Sequence, residues 1–301
     1  MLHVPHRKGA MPRTPAPPPL IKAGRTSLHV MSFNIRYDRP ATQPGDVDYW
    51  PGRIAPLQDL LRREVPAVLG VQEALHHQLA VIEAALPPRY SMIGAGREGG
   101  SRGEYSAIFY DARRLQLIEW DQFWLSDTPK LIGSSTWGNG VTRIVTWGRF
   151  RDVVMDREIL LVNTHFDQES DNARIRSAGA VLDLVRFFRP RLPTIVMGDF
   201  NSDAGASAHR SFVGSGVLVD AWLRAEEHLT PDHGTYPRYA RPVDGGRRID
   251  WILTTPDVLV RQAAVNTSTL DGRYASDHAP VQVLVDIPRR HSGAENPVPP
   301  R

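Results

Sequence analysis

Residues 143–165 read RIVTWGRFRDVVMDREILLVNTH, two β-rich runs on either side of a turn at Met155-Asp156-Arg157. Runs 143–150 and 157–164 have strand length and strand composition, and the polar turn between them predicts a hairpin. A hairpin makes its strands antiparallel, so the chain is not a simple parallel βα series. Working outward, 28–35 (LHVMSFNI), 67–72 (AVLGVQ), 106–110, 194–198 (TIVMG), 249–253 and 281–285 also read as strands. Helical spacing of apolar residues predicts helices over 53–64, over 76–86 (halted by Pro87-Pro88) and over 173–188. Strands interleaved with helices, and at least one hairpin among them, predict an α/β fold, a mixed-sheet sandwich with outer helices.

The strands share a habit. Each of four apolar runs ends in, or delivers, a polar residue: Asn34, Glu73, His165 and Asp199. In α/β folds, sites form where strand ends meet, because rigid strands aim side chains into loops open to substrate. No internal repeat or linker interrupts 28–287, so these residues read as one domain. Residues 1–27 form a Pro-rich leader and 288–301 a Pro-rich polar tail, both expected to be disordered.

Composition narrows the chemistry. The chain of 301 residues has no cysteine, which excludes disulfides, thiolate metal sites and a thiol nucleophile. Any metal must be held by Asp, Glu, Asn or His, a set suited to hard cations such as Mg²⁺ or Mn²⁺. The net charge of +3 sits in the termini: the leader carries five basic residues and no acid, which leaves the body slightly acidic. A broad basic footprint for duplex nucleic acid is therefore not expected. Of the short basic clusters in the body, Arg113-Arg114 reads as solvated surface. No stretch reaches the roughly 18 apolar residues of a membrane span. The leader lacks the apolar core of a secretory signal, so a cytoplasmic location is expected. A monomer is expected.

Six motifs occur in order: Ser32-Phe33-Asn34, Val71-Gln72-Glu73, Asn163-Thr164-His165, Gly198-Asp199-Phe200-Asn201, Arg248-Ile249-Asp250 and Ser276-Asp277-His278-Ala279-Pro280. Singly each has a plain structural explanation: a turn-forming Asn, a paired buried Glu, a helix N-cap, a satisfied Asp-His pair. Together they resemble the endonuclease/exonuclease/phosphatase superfamily across 28–286. The blocks FNIRYD, GEYSAIFYD, FWLSDTP and RYASDHAPV are most similar to a bacterial branch distantly related to deadenylase-like and nocturnin-like enzymes. The resemblance implies a four-layer sandwich, two mixed β-sheets packed face to face with helices outside. It also implies a Mg²⁺-dependent phosphoester hydrolase, a phosphodiesterase, nuclease or phosphatase. A catalytically inactive binding protein of the same fold is the alternative, although none of Glu73, Asp199, Asp250 or His278 is missing.

By that resemblance Glu73, Asn34 and Asp277 belong to the metal site. Asp199 resembles the general base that activates water, or alternatively a group that positions the metal. Asn201 would orient the phosphate, His278 and His165 would donate to phosphoryl oxygens, and Asp250 would fix the tautomer of His278. Either Glu104 or Tyr105 takes the place at which relatives carry an acidic support for His165 or a phosphate-binding tyrosine. Arg174 could reach a phosphate or make a structural salt bridge. The segment 233–239, with Tyr236 at its centre, is a candidate rim. Trp120, Phe123 and Trp124 read as packing under a loop rather than as a substrate platform, and His76-His77 as surface. The expected partner is a phosphoester, either a small molecule or single-stranded nucleic acid.

Overall fold

The computed structural model describes residues 17–287. In chain order the strands are β1 (Leu28–Asn34), β2 (Val68–Ala74), β3 (Tyr90–Ile93), β4 (Tyr105–Asp111), β5 (Leu115–Trp124), β6 (Ile144–Asp152), β7 (Arg157–His165), β8 (Thr194–Asp199), β9 (Val219–Asp220), β10 (Glu227–His228), β11 (Asp250–Thr254), β12 (Leu259–Val265) and β13 (Val281–Asp286). They build a seven-stranded sheet, β10-β12-β13-β1-β2-β4-β3, and a six-stranded sheet, β5-β6-β7-β8-β11-β9. Both are mixed. β1 is parallel to β2 and β7 to β8, while β13, β4, β6 and β11 run antiparallel to the neighbours they join. The hairpin expected over 143–165 is β6–β7, with Val145 opposite Thr164 and Asp152 opposite Arg157.

Period-two alternation sorts the side chains into layers. On β7, Ile159 and Leu161 pack against Leu28, Val30 and Val68 of the other sheet, together with Ile195 and Met197 of β8. Their neighbours Leu160 and Val162 point the other way, onto Val181 and Val185 of helix α3. The helices are α1 (Trp50–Glu64), α2 (His76–Glu83), α3 (Asp171–Phe187), α4 (Ser207–Val213) and α5 (Ala221–Arg224). Helices α1 and α2 cover Met31, Phe33, Leu69 and Val71 on the outer face of the first sheet. Helices α3 and α4 cover the second. The result is the expected four-layer sandwich. Each fully buried large aliphatic or Phe side chain in its three cores contributes about 1.5–3 kcal/mol.

The core between the sheets changes character along the strands. Next to the apolar layer lies a polar one, in which Gln72 donates to Asn163 at 2.7 Å and to Ser32 at 3.2 Å. Asn163 in turn donates to the carbonyls of Val71 and Ala107. Two residues further on the same strand faces stand Asn34, His165 and Asp199, and Asp250 begins the antiparallel β11 beside them. Alternation thus carries polar side chains to one mouth of the sandwich.

Three readings change. Residues 115–124, given no element in the sequence reading, form an edge strand, whose alternation is broken by a register shift between Leu117 and Glu119. Arg114 is not solvated: it pairs with buried Asp152 at 3.0 Å and donates to the carbonyl of Thr26. Residues 1–16 of the expected leader and the whole expected tail lie outside the described residues. Of the rest of the leader, Ile21 is buried and the Leu20 amide donates to Glu64.

Strands β7 and β8 depend on glycine at one point. A Cβ built on Gly198 would lie 2.2 Å from the backbone oxygen of Thr164, which cannot move without breaking the ladder. Gly198→Ala should therefore destabilise the fold by about 1–3 kcal/mol, read from urea denaturation. An unchanged midpoint would show that the two strands can separate locally at little cost.

Candidate active site

The polar strand ends meet in a cleft of about 480 Å³, lined by Glu73, His165, Asp199, Asn201, Asp277 and His278 among others. Asn34 is at its floor. Its amide nitrogen donates to Glu73 Oε1 and to Asp199 Oδ2, both at 2.9 Å, and its oxygen accepts from the Arg36 amide. His278 Nδ1 lies 2.9 Å from Asp250 Oδ2, and its Nε2 is 3.7 Å from Asp199. His165 Nε2 is 2.9 Å from the Asn201 amide nitrogen and 3.4 Å from Asp199. Asn201 gives its other proton to the Phe166 carbonyl at 3.0 Å, so its amide group is already engaged.

Three cleft residues hold left-handed backbone: Arg36 (φ 58), Glu73 (φ 62) and Asn201 (φ 48). Such conformations are strained for non-glycine residues and persist only where the surroundings impose them. At Glu73 the cause is a bulge, since the β2–β4 register shifts between Val71 and Ala74. The bulge re-aims Glu73 out of the pleat toward the cleft. At Arg36 the loop is clamped by Arg53, a buried guanidinium that donates to the carbonyls of Ile35, Arg36, Tyr37, Asp48 and Ala275.

Electrostatics divides the two histidines. Burial opposes the charge of His278, but Asp250 and Asp199 outweigh it and raise its pKa well above the ordinary value. Burial lowers His165, and the nearby charges of Arg143 and His278 push it further down. One ring is thus held as a cationic donor and the other as a neutral acceptor for Asn201. Burial and the adjacent Asp250 raise Asp199 to about 7, against the pull of His278 and the Asn34 hydrogen bond. A carboxylate tuned close to neutrality suits proton transfer at physiological pH. Burial also raises Asp277 and Glu104.

Of the residues singled out in the sequence, Asn34, Glu73, His165, Asp199, Asn201, Asp250, Asp277 and His278 come together. The Glu104/Tyr105 pair separates by alternation. Glu104 faces the cleft and binds Arg97 at 2.7 Å, whereas Tyr105 packs in the core beneath α1 and α2. Tyr236 lines the cleft, its ring 4.6 Å from that of His278. Arg174 does not line it: it donates to the Asp167 carbonyl and pairs with Asp171, the structural salt-bridge alternative. Trp124 sits under the loop as read, its indole donating to the Arg97 carbonyl at 2.7 Å. Trp120, Phe123 and Trp124 also line a separate groove, with Phe123 packed against the core under α3. Sequence reasoning missed three arginines on the cleft wall, Arg36, Arg97 and Arg143. Position 36 stands two residues after a motif, and Arg143 opens the strand that fixed the hairpin. Neither signal marks a site by itself.

The donor set fits a hard divalent cation. Glu73 and Asp277 offer buried carboxylate oxygens whose charge is partly balanced by Arg36 at 3.6 and 3.7 Å. Among the described residues, Glu73, Asp199 and His278 form a group whose ligand atoms lie within 4.8 Å of one another. Such clustered anionic oxygen in a buried mouth is what a small, strongly hydrated ion requires.

Residues 31–278 match the model of the Endonuclease/Exonuclease/phosphatase family. Among solved structures, an endonuclease/exonuclease/phosphatase family protein of Bacteroides thetaiotaomicron is 33% identical with TM-score 0.80, covering 86% of this chain and 97% of that one. A mannosyl-6-phosphatase of the same organism is 32% identical with TM-score 0.79, covering 86% and 99%. The catalytic domain of human nocturnin, with a bound sulfate anion, shares the fold at 17% identity and TM-score 0.65, covering 90% and 98%. No curated protein matches the chain.

The raised carboxyl of Asp199 has a consequence for stability. Its folded pKa, about 7, lies above its ordinary 3.8. The protonated group's contribution is therefore complete below 3.8 and is lost as pH rises through about 7. In EDTA, Asp199→Asn should melt above the wild type at pH 8, and the gap should close toward pH 4. A metal-free variant no more stable than wild type at pH 8 would show that Asp199 ionises without strain.

Proposed function

The chain belongs to the endonuclease/exonuclease/phosphatase family, and from that premise we propose that it is a Mg²⁺-dependent phosphoester hydrolase acting on a small phosphorylated substrate. The observation that carries this reading is the convergence of Glu73, Asp199 and the His278–Asp250 pair in one buried cleft. Every group that hydrolysis of a phosphoester calls on is present, which argues against the inactive binding protein.

In this reading Asp199 takes the proton of the attacking water, as its near-neutral pKa allows. Its carboxylate is aimed by the Asn34 amide. His278, held cationic by Asp250, donates to a phosphoryl oxygen and stabilises the charge that develops there. His165 stays neutral and fixes Asn201 at the rim of the reacting centre. Glu73 and Asp277 would hold Mg²⁺, which when bound polarises the phosphoryl group and stabilises the departing oxygen. Asn34, expected from the sequence as a third ligand, instead turns its amide nitrogen to Glu73 and Asp199 and gives its oxygen to the Arg36 amide, so it positions the carboxylates. Mn²⁺ prefers similar ligands and is expected to substitute.

Three observations support a small substrate over a long polynucleotide: the limited volume of the cleft, the slightly acidic body, and the 32% identity to a mannosyl-6-phosphatase. A sugar phosphate is the first class to try, and a single-stranded nucleic acid the second.

With Mg²⁺ present, Asp199→Ala and His278→Ala should each lower kcat by about 10²–10⁴-fold while the circular dichroism spectrum is kept. Near-wild-type turnover in either folded variant would remove that residue from the chemistry. Glu73→Gln should shift the metal-activation curve to higher Mg²⁺. A curve that overlays the wild type would exclude Glu73 as a principal ligand.

A further inference from the structure

Among the described residues that line the cleft, Arg143 is the one whose charge has no ion-pair partner. The residue is 6% exposed. One guanidinium nitrogen donates to the neutral Gln168 side chain, and Nε has no hydrogen-bond partner. The other two cleft arginines are committed: Arg97 to Glu104 at 2.7 Å, and Arg36 to Asp48, Glu73 and Asp277 at 3.3–3.7 Å. Glu104 lies nearby, but its carboxylate is taken by Arg97. A buried cation with acids nearby but no direct ion pair is unfavourable, and an unsatisfied buried donor adds to the cost. Arg143 nonetheless stands directly before β6 of the second sheet, next to His165 in the cleft wall. None of the proton transfers or metal contacts proposed above uses it.

We propose that Arg143 is a specificity-determining residue that receives the terminal phosphate of the substrate, so that phosphomonoesters are the substrate class of this cleft. The inference rests on the hydrolase reading for its site and adds to it the kind of ester. A phosphomonoester dianion presents three non-bridging oxygens and carries more charge than a diester, which presents two. His278 and a cation at Glu73 and Asp277 can together engage two of these oxygens. A terminal N–H of the Arg143 guanidinium, which lines the cleft, can donate a charge-assisted hydrogen bond to the third. A diester would have to direct its second ester group at this same wall, where Arg143 and the Arg97–Glu104 pair stand, and would leave the buried cation less fully neutralised. Leaving such a group unpaired is how a site rejects the wrong substrate.

The test uses the full chain with Mg²⁺ and compares wild type, Arg143→Met and Arg143→Lys on p-nitrophenyl phosphate and on bis-p-nitrophenyl phosphate. Arg143→Met should lower kcat/KM for the monoester about 10- to 100-fold, the worth of one or two charge-assisted hydrogen bonds. The diester value should change much less, so the monoester preference collapses. Lys at 143 should recover part of the monoester activity through its charge. An equal loss on both esters, or a loss on neither, overturns the proposal. Binding of inorganic phosphate to the metal-free proteins, followed by calorimetry, decides the matter independently of turnover. Affinity should fall about tenfold or more in Arg143→Met, and equal affinity in the two proteins also overturns it. A wild type that binds phosphate through Arg143 yet hydrolyses neither ester would remove the hydrolase reading, and with it the substrate class, and leave only Arg143 as the phosphate-binding residue.

Discussion

One amide joins the two halves of the molecule at the point where it matters most. The Asn34 nitrogen donates at 2.9 Å to Glu73, on the first sheet, and at 2.9 Å to Asp199, on the second. Without a shared donor, two buried carboxylates facing each other across the gap between sheets would repel and lose their solvation. With it, they are held at a fixed spacing in a mouth that the polar layer of Ser32, Gln72 and Asn163 has already separated from the dry core. The strain at Glu73 and Arg36 and the clamp of Arg53 are consequences of building charge into that position. The site is thus a set of local compromises, offset by the large apolar cores on either side.

The same arrangement explains how similar residues take different roles. Two histidines and several carboxylates share one cleft, yet their surroundings pull them apart. His278 is flanked by acids and held charged, and His165 is buried beside Arg143 and held neutral. Asp199, buried and close to the charge of Asp250, is lifted to about 7. Separation of protonation states among neighbouring groups is the usual mark of acid–base work. The family membership, the cation-compatible donor set and this separation all support the same proposed chemistry.

Much of this was legible in the sequence, and for a physical reason. Apolar strand runs marked a mixed-sheet sandwich and put Asn34, His165 and Asp199 at strand ends, where a side chain has few places to point; the four layers and the residues' roles came from the family resemblance that the six ordered motifs carry. The hairpin at 143–165 decided the mixed sheets. What escaped was what depends on tertiary assembly. Arg97 and Arg143 reach the cleft from a loop and from the far start of a strand, and no spacing rule marks them. The left-handed backbone at Glu73 follows from a bulge against β4, which only the register reveals. Arg174 carried an attractive charge in the right segment, but the local partners Asp167 and Asp171 claimed it. The edge strand β5 hid behind its broken alternation, and Arg114 found a buried acid that its neighbours in sequence could not announce.

In the proposed chemistry this cleft directs water at phosphorus with a divalent cation bound. Hydrolysis of a phosphomonoester by the purified chain in ¹⁸O-labelled water, with Mg²⁺ or with EDTA, tests it most directly. The account predicts label in the released phosphate and none in the alcohol, and loss of the reaction in EDTA. Label in the alcohol, or release that persists without metal, would contradict it.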